Sequence, residues 1–123
     1  MQKELQTSES QQAWVTIEDL AYTGTILHAF GDTDKKNILM TLSSPKTIHA
    51  VLTNCNIPKT SGYRKITSLI NEGLILAKDF GHSEDNKRIT AYVSVFSDLK
   101  ISFVKNKMTV KIRPNKNLEK YLR

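Results

Sequence analysis

Apolar positions along the chain keep a helical period as far as Asn71, and beyond Gly73 the period changes from 3.6 to 2. Before either pattern begins, residues 1–12 (MQKELQTSESQQ) are polar throughout and read as a flexible tail. From about Thr16, the positions Ile17, Leu20, Ala21, Gly24 and Leu27 follow helical spacing, and Thr16 with Asp19 makes an approximate capping box. An N-terminal helix is therefore predicted within residues 13–31. A second helix follows in GDTDKKNILMTL, capped by Asp32 or Thr33, with Ile38, Leu39 and Leu42 on one face. In SSPKTIHAVLTNC, Ile48, Val51, Leu52 and Cys55 fall at i, i+3, i+4 and i+7 and form a single apolar stripe.

The stretch NIPKTSGYRKITSLINEG predicts a further helix over about 58–72. It begins at Pro58, whose fixed φ suits a helix start, and stops at Gly73. Beyond it, LILAKDF and RITAYVSVF read as strands joined by the turn GHSEDNK, a hairpin over about 74–95. In a second hairpin, Leu99, Ile101 and Phe103 alternate with polar neighbours, KNK turns the chain, and Met108, Val110 and Ile112 alternate again. Pro114 ends it, and NKNLEKYLR is expected to form a short terminal helix.

Three short helices followed by a hairpin is the order of a winged helix-turn-helix, and the tight NCNIP turn suits its corner. The expected fold class is α+β, a winged helix-turn-helix (residues 32–98) with an N-terminal helix before it and an additional C-terminal β-hairpin and tail (99–123). At 100° per residue, Gly62, Ile66, Leu69 and Ile70 gather on one side of the helix over 58–72. Thr60, Ser61, Arg64, Thr67, Ser68 and Asn71 point the other way, with Tyr63 and Lys65 at the flanks. The apolar side has to pack on the preceding helices, so the polar side faces out, and Gly62 permits close approach to a neighbour. Small hydroxyls and Asn are weak helix formers, so a face serving only solubility would favour Glu, Lys, Ala and Gln. Arg64 can donate two hydrogen bonds to a guanine edge, Thr60 or Ser61 can reach bases or phosphates, and Lys59, Tyr63 and Lys65 stand where phosphates would lie. No acidic residue occurs between Lys59 and Asn71.

Charge sharpens this picture. Residues 1–34 hold one basic and six acidic side chains, a net −5, whereas residues 35–123 hold 17 basic and six acidic ones, a net +11. A polyanionic partner suits the larger part. In the first hairpin, His82, Lys87 and Arg88 could touch phosphates or the minor groove, but Glu84 and Asp85 share the turn, and an ordinary charged tip is equally consistent. The longest apolar runs fall short of the roughly 20 residues of a membrane span. A lone cysteine, Cys55, permits no internal disulfide, and a cytoplasmic setting is expected.

Residues 33–76, TDKKNILMTLSSPKTIHAVLTNCNIPKTSGYRKITSLINEGLIL, resemble the ArsR-like winged-helix regulators of archaea. The likeness rests on TDKKNIL, KTIHAVL, IPKTSGYRKI and EGLI. It extends through DLKISFVKNKMTVKI and PNKNLEKYLR, and so covers roughly residues 16–123. It implies sequence-specific binding of double-stranded DNA, a homodimer, transcription regulation, and Thr60, Ser61, Tyr63 and Arg64 as base-reading residues. Metal-sensing members carry paired cysteines near the second helix, where this chain has only Cys55, and His28, His49 and His82 lie on separate elements. No metal or other cofactor is therefore expected. Cys55 reads as a small buried hydrophobe, with redox sensing as the alternative.

No carboxylate pair, Ser/His/Asp set or phosphate loop stands out, and the two acids of GDTD better serve as the negative start of a helix, so no enzymatic activity is expected. The rival reading is a winged-helix module of the transcription machinery that binds protein, which would employ the acidic N-terminal segment and the amphipathic C-terminal hairpin. RNA binding ranks below both, for want of a sheet bearing clustered aromatics. Trp14, Ile17, Leu20 and Leu27, or the second hairpin, could form a dimer interface, and the same residues could instead complete a monomer core.

Overall fold

The computed structural model describes residues 13–82 and 84–116. The N-terminal tail, Ser83 and most of the predicted terminal helix lie outside the described residues. The chain is α+β, with four helices and two small antiparallel sheets among the described residues. In order these are β1 (Val15–Thr16), α1 (Leu20–Phe30), α2 (Thr33–Thr41), α3 (Ile48–Cys55), α4 (Lys59–Asn71), β2 (Ile75–His82), β3 (Arg88–Ser94), β4 (Phe96–Val104) and β5 (Lys107–Pro114).

The first helix departs from its sequence expectation. It starts at Leu20 rather than near Thr16, because Asp19 is its own cap and accepts from the Ala21 and Tyr22 amides at 2.8 and 3.2 Å. Val15 and Thr16 are extended instead, paired with Ile112 and Lys111 of β5. Two β-branched residues favour a strand once an edge is offered. The other helices begin and end as their residues suggest. Asp32 caps α2 through the Lys35 amide at 3.0 Å, and Thr47 caps α3 through the Ala50 amide at 3.2 Å. Asn56 takes the left-handed conformation after α3 (φ 58°), with the Ile57 amide donating to the Leu52 carbonyl at 3.0 Å. Gly73 (φ 75°) does the same after α4, where the Leu74 amide donates to the Leu69 carbonyl at 3.0 Å. Both are Schellman stops, each with a buried apolar pair across the turn, and the first reverses the chain within Asn56–Pro58.

Among the described residues one buried cluster runs from Ile26 in α1 to Val110 in β5. Ile26 and Ala29 of α1 meet Ile38 and Leu39 of α2, Leu42 at its end, Val51 and Leu52 of α3, and Ile66 and Leu69 of α4. Phe96 and Val110 enter the same cluster from β4 and β5. The predicted segments 13–31, 32–98 and 99–123 therefore share a core. Ile17 and Leu27, weighed above as dimer residues, are partly buried, Ile17 against this core, whereas Leu20 is largely exposed.

The two sheets are joined at one residue, Val95, between β3 and β4. Its amide donates to the Leu74 carbonyl at 3.0 Å, and its carbonyl accepts from the Asn115 amide at 3.1 Å. Asn115 is buried, and its side chain donates to the carbonyls of Ser43 and Ser94. Hairpin β2–β3 gains a further bridge at Lys46, whose backbone exchanges two hydrogen bonds with Tyr92. Hairpin β4–β5 turns through Lys105 and Asn106, both at positive φ, as a two-residue type I′ turn requires. β1 borders β5 on its other side, giving the order β1–β5–β4.

Candidate nucleic-acid interface

The placement of α4 follows from its apolar side. Gly62, Ile66 and Leu69 are buried, and a Cβ built on Gly62 would lie 2.5 Å from Leu52 Cδ2 and 2.7 Å from Cδ1. The absence of a side chain there lets α4 settle directly on α3. Tyr22 of α1 ties down the far end, its hydroxyl donating to the Gly73 carbonyl at 2.9 Å, and partial burial pushes its phenol pKa up.

Rotation about the helix then sorts the polar residues into two sets. Lys59, Thr60, Tyr63, Arg64, Thr67 and Asn71 are exposed and run as one stripe along the helix. From Thr60 to Asn71 this stripe spans about 17 Å at 1.5 Å per residue. None of these six side chains has a hydrogen-bond or ion-pair partner among the described residues. The first turn is also open. Pro58 supplies no capping side chain, no acid lies in the first turn, and the Gly62 amide is the first to bond back, to the Pro58 carbonyl at 2.8 Å. The amides of Lys59, Thr60 and Ser61 therefore present the positive end of the helix outward.

The second set turns toward α2. Lys65, predicted at a phosphate-facing flank, forms an ion pair with Asp32. That hydrogen bond and the Lys35 amide hold the Asp32 carboxyl below the usual carboxylate range. Ser68, predicted outward, is partly buried and donates to Glu72 Oε2 at 2.8 Å. Lys35 of α2 is buried, and its ammonium donates to Ser68 Oγ at 2.7 Å and Glu72 Oε2 at 2.8 Å. Glu72 Oε1 is buried without a hydrogen-bond partner among the described residues. Ser61 is partly exposed and turns its hydroxyl back to the Pro58 carbonyl at 3.4 Å. The acid-free window of the sequence is thus flanked by two carboxylates from outside it, and both are neutralised by lysines.

At hairpin β2–β3, Lys87 is exposed beside Glu84 and Asp85. Only the backbone of His82 and Arg88 is described, and the two residues pair with each other across the hairpin. Next to the start of α4 lies an open cleft of about 260 Å³ bordered by His49, Leu52, Thr53, Asn56, Ile57, Lys59 and Tyr63. Cys55 packs against the core, with its sulfur 3.4 Å from Thr41 Oγ1. Among the described residues no three His, Cys, Asp or Glu side chains converge as a metal-binding group, and no helix is long and apolar enough to cross a membrane.

Sequence reasoning missed the part played by Trp14. Its ring lies under Arg113 Cζ at 4.5 Å and Lys100 Nζ at 5.1 Å, on the solvent side of the three-stranded sheet. The alternation of Lys100 with Leu99 and Ile101 gave the side of the strand, but Trp14 joins it only through the pairing of β1 with β5. Comparison with known proteins finds no matching family model, no matching curated protein and no matching solved structure.

Proposed function

We propose that the chain is a winged helix-turn-helix protein that binds double-stranded DNA sequence-specifically and regulates transcription in a cytoplasmic setting. In this reading α3 and α4 form the helix-turn-helix, α4 lies in the major groove, and β2–β3 is the wing against the backbone. The carrying observation is the exposed stripe of α4, where Thr60, Tyr63, Arg64 and Thr67 stand with no partner among the described residues. A groove about 12 Å wide admits a helix, and Arg64 has the bidentate geometry for a guanine edge. Lys59 and the open amides of the first turn suit a phosphate. Lys65 and Ser68 act one step back, holding the helix rather than touching DNA. The chain acts as a homodimer, since one helix reads only a few base pairs and two related by a twofold read half-sites about one turn apart.

The test is binding to duplex DNA across a salt series, together with selection of a preferred site from random sequence. With about six phosphates neutralised, log affinity falls against log salt with a slope near roughly −5. Arg64→Ala weakens the selected site by about 1–3 kcal/mol and leaves the random-duplex slope almost unchanged. Absence of binding at low salt refutes the proposal.

One observation favours the second reading, a protein-binding module of the transcription machinery. Ile101, Phe103, Val104 and Met108 are all exposed toward the tip of β4–β5, with Phe103 at 71%. A chain that ignores DNA but loses a protein partner on Phe103→Asp would support that reading instead.

A further inference from the structure

The three-stranded sheet has two unlike faces. Leu99, Val110 and Ile112 lie on the face against the domain, Val110 within the buried cluster. The opposite face carries Lys100, Lys107, Lys111 and Arg113, with Ser102 and Thr109 between them, Val104 opposite Lys107 and Trp14 beside them. Between Phe96 and Pro114 there are five cations and one carboxylate, Asp98. Asp98 is committed to Arg113 at 3.1 Å. Lys100, Lys105, Lys107 and Lys111 have no ion-pair partner among the described residues.

Lys100 and Lys111 are moreover directly opposite one another in the β4–β5 register. Like charges in that position oppose strand pairing. Trp14 eases the repulsion by offering its ring to Lys100 and Arg113, but a ring carries no net charge and leaves the face cationic. We propose that this basic face is a second phosphate-binding surface for nucleic acid, separate from α4. Lys107 and Lys111 lie four residues apart on one strand, about 13 Å at the usual rise. Charge repeated over that length matches the regular phosphates of a nucleic-acid strand better than an isolated carboxylate on a protein. The inference rests on the DNA-binding reading above and extends it to residues that reading does not use.

The experiment compares wild type, Lys100→Gln/Lys111→Gln and Arg64→Ala on a random-sequence duplex and on a selected site, across salt, with thermal melting of each protein. The double variant is expected to bind the random duplex about tenfold more weakly near 0.1 M salt, with a slope shallower by about 1–2. Its melting temperature stays the same or rises, since a like-charge pair is removed. Lys107→Gln, exposed beside the turn, lowers the slope by about one and tests the same surface should the double variant fold poorly.

If wild type binds and both lysine variants match it in affinity and slope, the inference is overturned while the role of α4 stands. If Arg64→Ala leaves site selection intact while the lysine variants flatten the slope, the sheet surface stands and the role of α4 falls. A wild type that binds no duplex overturns both. Unchanged DNA binding together with lost binding to phosphatidylserine vesicles would assign the lysines to a lipid surface and overturn the inference.

Discussion

Arg64 and Lys65 are neighbours in sequence on α4, yet they occupy different chemical surroundings. Arg64 is exposed with no partner among the described residues, whereas Lys65 is partly buried and paired with Asp32 of α2. The same division separates Thr67 from Ser68, the first in solvent and the second bonded to Lys35 and Glu72. One hundred degrees of rotation thus divides the helix into a side that anchors it and a side exposed to solvent. Beside the apolar contact of Gly62, Ile66 and Leu69, the anchoring side carries polar contacts to α2 through Lys65, Ser68 and Glu72. A polar contact costs more desolvation than an apolar one, but its hydrogen bonds fix the helix in rotation as well as in distance. If α4 reads DNA as proposed, Arg64 and Thr67 have to be presented at a defined angle, and rotation is the quantity that matters.

The strongest way to break that division is at Lys35. Removing its ammonium leaves the Glu72 carboxylate and Ser68 without their shared donor, in a site where the lysine side chain is 10% exposed and that of Glu72 is 28%. Loss of one member of a fully buried pair costs about 3–5 kcal/mol, and the partial exposure of Glu72 lowers the expectation for Lys35→Met to about 2–3 kcal/mol. Replacing both partners, as Lys35→Met/Glu72→Met, recovers most of that loss, because no charge is then stranded. Urea unfolding of the single and double variants measures both terms. If the anchor controls rotation, the double variant is stable but binds its selected DNA site less tightly.

How much of this could be read from the chain follows from the range of each interaction. The helices were legible because their signals are local: Ile38, Leu39 and Leu42 repeat at helical spacing and are all buried, and Asp32 caps within three residues. The stop at Gly73 and the turn at Asn56–Pro58 are equally local. The short strand Val15–Thr16 was not legible, since its partners Lys111 and Ile112 lie far along the chain. Its apolar neighbours fit a helical pattern equally well until that edge arrives. Within the candidate site, periodicity put Arg64 outward and Lys65 at a flank, but only the fold brings Asp32 to that flank. The burial of Lys35 was hidden for the same reason. A lysine in the first turn of a capped helix gives no sign that Ser68 and Glu72 will close over it.

A second break acts on the apolar side of the same helix. Gly62→Ala places a methyl within 3 Å of two Leu52 methyl carbons, so Leu52 or the whole of α4 has to shift. Overpacking costs typically about 1–3 kcal/mol, while exchanging glycine for alanine within a helix returns roughly 0.5–1 kcal/mol. A net loss of about 1 kcal/mol is expected by urea unfolding. Leu52→Ala on top of Gly62→Ala opens the space again, so the two substitutions should be non-additive.

The gentlest perturbation separates the two roles of Asp32. Its carboxylate caps α2 through the Lys35 amide and pairs with Lys65 of α4. Asp32→Asn keeps a capping oxygen but removes the charge, so it isolates the pair, which at this exposure is worth about 0.5 kcal/mol. The pH dependence carries a definite sign. The folded Asp32 carboxyl titrates below its ordinary value, chiefly because Lys65 donates to it and secondarily because the Lys35 amide does. Its contribution is therefore present above the unfolded value, near about 4, and is lost as pH falls through the lower folded value. Wild type should exceed Asp32→Asn in stability at pH 7, and the gap should close as pH drops below about 4. Added salt should narrow the gap at pH 7 by screening the pair, and leave the cap common to both proteins untouched. A gap that persists unchanged at low pH would mean that Asp32 acts through its cap geometry alone. The orientation of α4 would then rest on Lys35, Ser68 and Glu72 without help from Lys65.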